Sequence, residues 1–287
     1  MLDRRAFLAA VPGLAAWPVS ARDVPAELAA YERDSGGRVG LFAENLNTGA
    51  RIAWRASERF VMCSTFKASL AALVLARVDH GQDRLEQMIH YGPKDAQPPG
   101  MYAPVGRQNL ALGAMSVADM CAAAVEYSDN ICANLLLARV GGPAALTAFW
   151  RSIGDPVTRL DHNEPLLNRS PPGDPHDTTT PAAMAGNLRR LLLGKALSPG
   201  SRERLTGWML NCKTGDNRLR GGLPGTWKIA DKTGNNGKDA AGDIAVAWPG
   251  PGMPVVICAY TQGGSPDDAR LAAVFADIGR LVGRRLG

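Results

Sequence analysis

Apolar and polar positions fall into blocks that mark successive elements along the chain. Val24–Arg33 reads as an amphipathic helix. Arg38–Leu46 and Ile52–Trp54 are strand-like and are joined through Asn47-Thr48-Gly49-Ala50, a hairpin signal. The run from Ser64 to about Val78 is predicted helical, with Ser64 as a candidate cap for its first free amides and Gly81 as its stop. Between about 80 and 206, apolar residues recur at helical spacing in Val117–Val125, Ile131–Val140, Pro143–Ile153 and Pro181–Leu193. Two long loops interrupt them, Gly92–Gly106 and Arg159–Pro181, the second with five prolines. Strands return at Thr226–Lys232, Asp243–Trp248 and Pro254–Thr261, and a helix over Pro266–Leu281 closes the pattern.

Strands at both ends with helices between them do not make a repeating strand–helix–strand fold. The expected class is α/β in the α+β sense: an antiparallel sheet from both chain ends, flanked by helices, with an inserted all-helical lobe. Residues 22–60 and 207–287 would form the α/β lobe. Residues 61–206 would form the helical lobe, including a loop over 159–177, and a cleft between the two is a natural pocket. No internal repeat or low-complexity tract is visible.

Composition narrows the function classes. A chain of 287 residues, 46% hydrophobic and 21% charged, is long enough for a sizeable core. The net charge of +5 is spread out, with no run of five basic residues, which argues against nucleic-acid binding. Residues 1–21 read as a cleaved leader. Arg4-Arg5-Ala6-Phe7-Leu8 precedes a short apolar run broken by Pro12 and Pro18, and Val19-Ser20-Ala21 fits a signal-peptidase site. Adjacent arginines point to the twin-arginine route and so to a periplasmic or secreted protein. After processing, no segment is long and apolar enough to anchor it in a membrane. The five cysteines (Cys63, Cys121, Cys132, Cys212, Cys258) are odd in number and lack metal-ligand spacing. The four histidines form no zinc motif, so neither a metal nor another cofactor is implied. Cys63, beside Ser64, is expected to be a small buried residue packing beneath the site.

Four polar clusters carry the chemistry. Ser64-Thr65-Phe66-Lys67 places a hydroxyl and an amine three residues apart on one helix face, so that the amine can accept the hydroxyl proton. The helix N-terminus favours developing negative charge there. Ser128-Asp129-Asn130 sits at a break between helical segments, where an Asx turn is the plain alternative. Functionally, Ser128 could pass a proton to a leaving nitrogen while Asn130 contacts a substrate amide. Glu164-Pro165-Leu166-Leu167-Asn168 offers a carboxylate able to activate water. Lys-Thr-Gly occurs twice. Lys213-Thr214-Gly215 follows a helix and precedes polar residues, so it is assigned to loop. Lys232-Thr233-Gly234 lies among strands, where a strand edge can take up a peptide-like substrate beside a cation for its carboxylate. Together these groups suit acyl transfer through a serine ester.

The whole chain after the leader resembles a class A serine β-lactamase, a relative of the penicillin-binding proteins, whose motifs are S-x-x-K, S-D-N and K-T-G. The Glu164-x-x-Leu167-Asn168 segment, running from Arg159-Leu160-Asp161 to Asp174–Pro181, resembles that family's Ω-shaped loop. The resemblance implies Ser64 as the acylated nucleophile, with Lys67 and Glu164 sharing the general-base work and Glu164 serving deacylation. It also implies Ser128 as proton shuttle and the Ser64 and Asn235 amides as oxyanion hole. Lys232 and Thr233, beside Gly234, would hold the substrate carboxylate, with Arg218 as a second partner and Arg220 structural. Tyr102 would form an aromatic wall, and Asn130 and Asn168 would contact substrate and water. Arg159 and Asp177 would pair to pin the loop's ends. Two disulfides of other members are missing by sequence: Asn236 stands opposite Cys63, and Ala71 opposite Cys121. Asn235 and Asn236 also depart from the smaller residues usual after this motif. The implied partner is a small β-lactam, the protein acting as a monomer and conferring β-lactam resistance. A penicillin-binding D,D-peptidase or a penicillin sensor shares three motifs but has no need of Glu164. A glutaminase-like amidohydrolase uses Ser-x-x-Lys without that loop.

Overall fold

The computed structural model describes residues 25–169, 171 and 173–287. The leader assigned to residues 1–21, and Val24, lie outside the described residues. Helix α1 (Ala26–Ser35) is stopped by Gly36, whose φ of 70° lets its N–H reach back to Glu32 O. Strands β1 (Arg38–Asn45) and β2 (Arg51–Trp54) form the expected hairpin. They are joined in one sheet by β3 (Lys228–Asn235), β4 (Ala240–Trp248) and β5 (Val255–Gln262). The order is β2-β1-β5-β4-β3, antiparallel throughout. Register brings the chain ends together: Arg38 faces Gln262 and Asn45 faces Val255.

One sheet face packs on α1 and on the final helix, Asp268–Leu286, around Leu28, Tyr31, Phe275, Ile278 and Val282. The other face, through Ile244, Val246, Val256, Cys258 and Tyr260, shares a core with the helices of the middle segment. There α2 (Phe66–Asp79) is central. It packs on α3 (Val117–Glu126), α4 (Asn130–Val140), α5 (Pro143–Ser152) and, beyond α6 (Pro181–Leu188), on α7 (Pro199–Leu210). Being apolar around most of its circumference, α2 fits the centre of a bundle rather than its surface. Side-chain caps set the neighbouring starts: Ser116, Asp129, Thr180 and Ser198 each accept an amide three residues on. No single helix among the described residues is long and apolar enough to cross a membrane.

Three local expectations are corrected. Ser64 does not cap α2. A 3-10 turn over Cys63–Thr65 feeds the helix directly, and the Ser64 hydroxyl points to other partners. Strand β3 continues beyond Lys232 to Asn235, because Asn235 and Asn236 supply the turn. Asn235 Oδ1 accepts the Gly237 amide, and Asn236 Oδ1 accepts those of Lys238, Asp239 and Ala240. After α6 the chain widens into a π turn over Arg189–Leu193 instead of continuing as α-helix.

Candidate active site

Ser64 and Lys67 begin the central helix, where the three-residue spacing turns both side chains toward one point. Lys67 is fully buried, and its three N–H donors are all used. They go to Ser64 Oγ (2.8 Å), the Ser128 carbonyl (2.8 Å) and Asn130 Oδ1 (2.5 Å). Ser64 Oγ donates in turn to Glu164 Oε1 at 3.0 Å, and Lys67 Nζ lies 3.2 Å from the same oxygen. Burial pushes the Lys67 ammonium below its ordinary range against the opposing pull of Glu164, which makes the neutral amine easier to reach.

The break between α3 and α4 delivers the second cluster. Ser128 has a left-handed φ of 60°. Buried Asp129 holds the turn, accepting the amides of Cys132, Val105 and Gly106. The turn is therefore held by Asp129, which leaves the flanking Ser128 and Asn130 side chains to face Lys232 and Lys67. The amide of Asn130 bonds the Tyr102 carbonyl, which places the Tyr102 loop at the rim, with Tyr102 56% exposed.

Glu164 enters from the 159–177 loop. Its carboxylate is buried between Ser64 on Oε1 and Asn168 Nδ2 on Oε2, the latter at 2.7 Å. Asn168 Oδ1 is buried and has no partner among the described residues. The Glu164 backbone is gripped on both sides by Asn134, whose Oδ1 accepts its N–H and whose Nδ2 donates to its carbonyl, each at 3.0 Å. Asn134 was missed in the sequence, although it follows Asn130 by one helical turn on α4.

The expected Arg159–Asp177 staple is not formed. Arg159 is drawn to Asp161, two residues away, at 2.5 Å. The Asp177 carboxylate instead takes the His162 ring at 2.6 Å together with the backbone amides of Asp161 and His162.

The fourth wall is the end of β3. Lys232 is fully buried and donates to Ser128 Oγ (3.1 Å) and the Thr233 carbonyl (2.7 Å). Burial, with Lys67 nearby, pushes its ammonium down to about 8. The cation is thus present below that pH and lost as pH rises through it. Gly234 is required by contact: a Cβ there would stand 2.8 Å from Met62 O and 2.9 Å from the Ser64 nitrogen. Arg218 donates to the carbonyls of Gly234 and Gly242, both at 2.8 Å, while Arg220 pairs with buried Asp231 as a structural residue. Thr214, set aside with the first Lys-Thr-Gly, bonds Thr233 Oγ1 at 2.5 Å and lines the site. The repeated motif was the available signal.

A cavity of about 360 Å³ unites these groups. Ser64, Tyr102, Ser128, Asn130, Glu164 and Asn168 line one side, and Thr214, Arg218, Thr233, Gly234 and Asn235 the other. Lys67 and Lys232 lie behind it. All five cysteines are free and buried, so neither missing disulfide is replaced by another.

A nucleophilic hydroxyl, two buried amines and a carboxylate meeting at one cavity are accompanied by likeness along the chain. The model of the beta-lactamase enzyme family matches residues 23–286. The chain is 43% identical to beta-lactamase L2 of Stenotrophomonas maltophilia over the full length of both. It is 44% identical to the carbapenem-hydrolyzing beta-lactamase KPC of Klebsiella oxytoca, covering 90% of this chain and 87% of that protein. Among solved structures, an ancestral class A beta-lactamase (GNCA) superposes with a TM-score of 0.85 at 55% identity, over 90% of this chain and 98% of that one. A beta-lactamase from Xanthomonas campestris pv. campestris gives 0.87 at 48% identity, over 91% and 97%. Motifs, cavity, chain-length identity and fold agree: the chain belongs to the beta-lactamase enzyme family, as a class A serine β-lactamase.

Proposed function

We propose that Ser64 opens the β-lactam ring to form an acyl-enzyme that Glu164 then clears with water. The protein is a β-lactam hydrolase and confers resistance to these antibiotics. The observation that carries the residue roles is the contact of one Glu164 oxygen with Ser64 while the other is held by Asn168. In acylation the Ser64 proton passes to Lys67 or Glu164, both within hydrogen-bond reach, as the oxygen attacks the ring carbonyl. The Ser64 and Asn235 amides receive the developing oxyanion. Ser128 gives a proton to the departing ring nitrogen, and the Lys232 ammonium beside it eases that transfer. Lys232 and Thr233 take the substrate carboxylate through charge-assisted bonds. Arg218, whose Nη1 is held by the Gly234 and Gly242 carbonyls, adds positive charge to that wall as the second partner of the carboxylate. In deacylation Glu164 removes a proton from water, with the open Asn168 Oδ1 as a second hold on it. A D,D-peptidase or a penicillin sensor has no use for that pair.

Stopped-flow mixing with benzylpenicillin, followed by intact-mass analysis, checks the reading. The expected result is an adduct of one ligand mass that forms and clears many times over. A stable adduct with no turnover would leave only the sensor-like reading.

We further propose that the protein works as a monomer in the periplasm, the site lying between residues 61–206 and the sheet-bearing lobe of 22–60 and 207–287. The Arg4-Arg5 pair supports folding before export. Replacing both by Lys should leave active enzyme in the cytoplasm, and unchanged periplasmic activity would assign the general secretory route.

A further inference from the structure

The two copies of Lys-Thr-Gly meet in the folded protein. The first, Lys213-Thr214-Gly215, lies in the loop after α7 and runs beside the second on β3. Its position is fixed from two sides. The Lys213 amide donates to the Glu126 carbonyl at 2.8 Å. Glu126 ends α3 two residues before Ser128, so the loop is tied to the segment that carries the proton shuttle. Gly215 lies against β3, where an added Cβ would stand 1.9 Å from Asp231 Oδ2. The loop comes this close only because residue 215 is glycine. Thr214 is thereby delivered to Thr233, Oγ1 to Oγ1 at 2.5 Å, with Cys212 Sγ on its other side at 3.4 Å.

A threonine hydroxyl has one proton to give and two lone pairs to receive others. Of two facing hydroxyls, only one can donate across the contact. A substrate carboxylate offers acceptors alone, so Thr233 serves it only by pointing its proton into the cavity. The contact with Thr214 then persists only with Thr214 as donor. In the reverse direction Thr233 would give its proton to Thr214 and turn a lone pair on the substrate anion. Cys212 Sγ, a weak donor, is placed to fill the lone pair that Thr214 keeps open. Hydrogen bonds in such a row polarise one another, which strengthens the last donor, the one facing the anion.

We infer that Thr214 is a positioning residue for β-lactam recognition: its hydroxyl donates to Thr233 and so directs the Thr233 proton at the acid group of the substrate. The inference rests on Lys232 and Thr233 holding that group. Lys232 supplies charge from behind this wall, where it is fully buried and gives two of its donors to Ser128 Oγ and the Thr233 carbonyl. The hydroxyl that lines the cavity is that of Thr233, and Thr214 sets its direction. The duplicated motif then has a physical reading. The β3 copy meets the substrate, and the loop copy uses its glycine to approach and its threonine to orient.

The test compares kcat/KM for benzylpenicillin with kcat/KM for its methyl ester, which keeps the ring and lacks the anion. Thr214→Val keeps the shape and removes the hydroxyl. In this variant the acid-over-ester ratio should fall about three- to tenfold, the scale of one neutral hydrogen bond. Thr214→Ser returns the hydroxyl and should return the ratio. A merely structural role for Thr214 would slow acid and ester alike, and a wild-type ratio in Thr214→Val would overturn the inference. A double-mutant cycle asks whether Thr214 acts through Thr233 or touches the substrate itself. Added to Thr233→Val, Thr214→Val should lower the ratio no further, and losses that simply add would overturn the inference. Thr233→Val alone tests the reading beneath it. If that variant lowers the ratio and Thr214→Val does not, only the role of Thr214 has failed. If Thr233→Val leaves the ratio unchanged, the carboxylate assignment has failed and the inference with it.

Discussion

Glu164→Ala should turn a catalyst into a trap, binding one equivalent of penicillin and then falling nearly silent. Acylation survives because Lys67 Nζ still lies 2.8 Å from Ser64 Oγ, and burial already lowers the cost of its neutral form. Hydrolysis of the ester does not survive. Among the described residues lining the cavity, Glu164 is the one carboxylate, and Asn168 can orient water but cannot take its proton. General-base assistance is typically worth about 10²–10⁴-fold, so deacylation should fall by that order while the burst amplitude stays near one. Removing Glu164 also deletes the counter-charge to a fully buried Lys67. That further favours the neutral amine and helps keep acylation alive. Stopped-flow bursts and a persistent adduct in the mass spectrum are the readouts. Steady turnover at the wild-type rate would place the deacylating base elsewhere.

The residues that could be read from sequence are those whose neighbours in the chain decide their geometry. Ser64 and Lys67 sit three apart on a helix, and Asn168 follows Glu164 by four, so local spacing alone brings each pair together. The antiparallel sheet from both chain ends was legible for a similar reason, because strands and helices occupied separate stretches of the chain. Errors arose where the partner was chosen in three dimensions. Arg159 has the right charge for Asp177 but finds Asp161 first, leaving Asp177 to His162, whose charge no sequence pattern advertises. Thr214 is not marked by its own neighbours as a site residue, since nothing local shows its loop running alongside Thr233. The hydroxyl of Ser64 looked like a helix cap and is instead committed to Lys67 and Glu164. At the end of β3, the two unexpected asparagines fold their side chains back onto their own turn, so their size is absorbed by the hairpin.

Ser64→Ala should abolish both the adduct and turnover, a loss on the order of 10⁶-fold, the scale reached when a serine nucleophile is removed from an acyl-transfer enzyme. The competing nucleophile is the adjacent Cys63, intrinsically the more reactive residue type. Three observations disqualify it. It is fully buried beneath the site, its Sγ is directed toward the Ala240 carbonyl at 3.8 Å, and it does not line the cavity. Burial and the Glu164 charge push its thiol far above the ordinary range, so the thiolate is scarcely formed. The opposite holds for Ser64, which faces the cavity with an amine and a carboxylate both on its oxygen. Incubation with a slow β-lactam should therefore add one ligand mass to the wild type and to Cys63→Ala, and none to Ser64→Ala. The modified peptide should carry the label on Ser64. Label recovered on Cys63, or acylation persisting in Ser64→Ala, would mean that the nucleophile is not the serine at the head of the central helix.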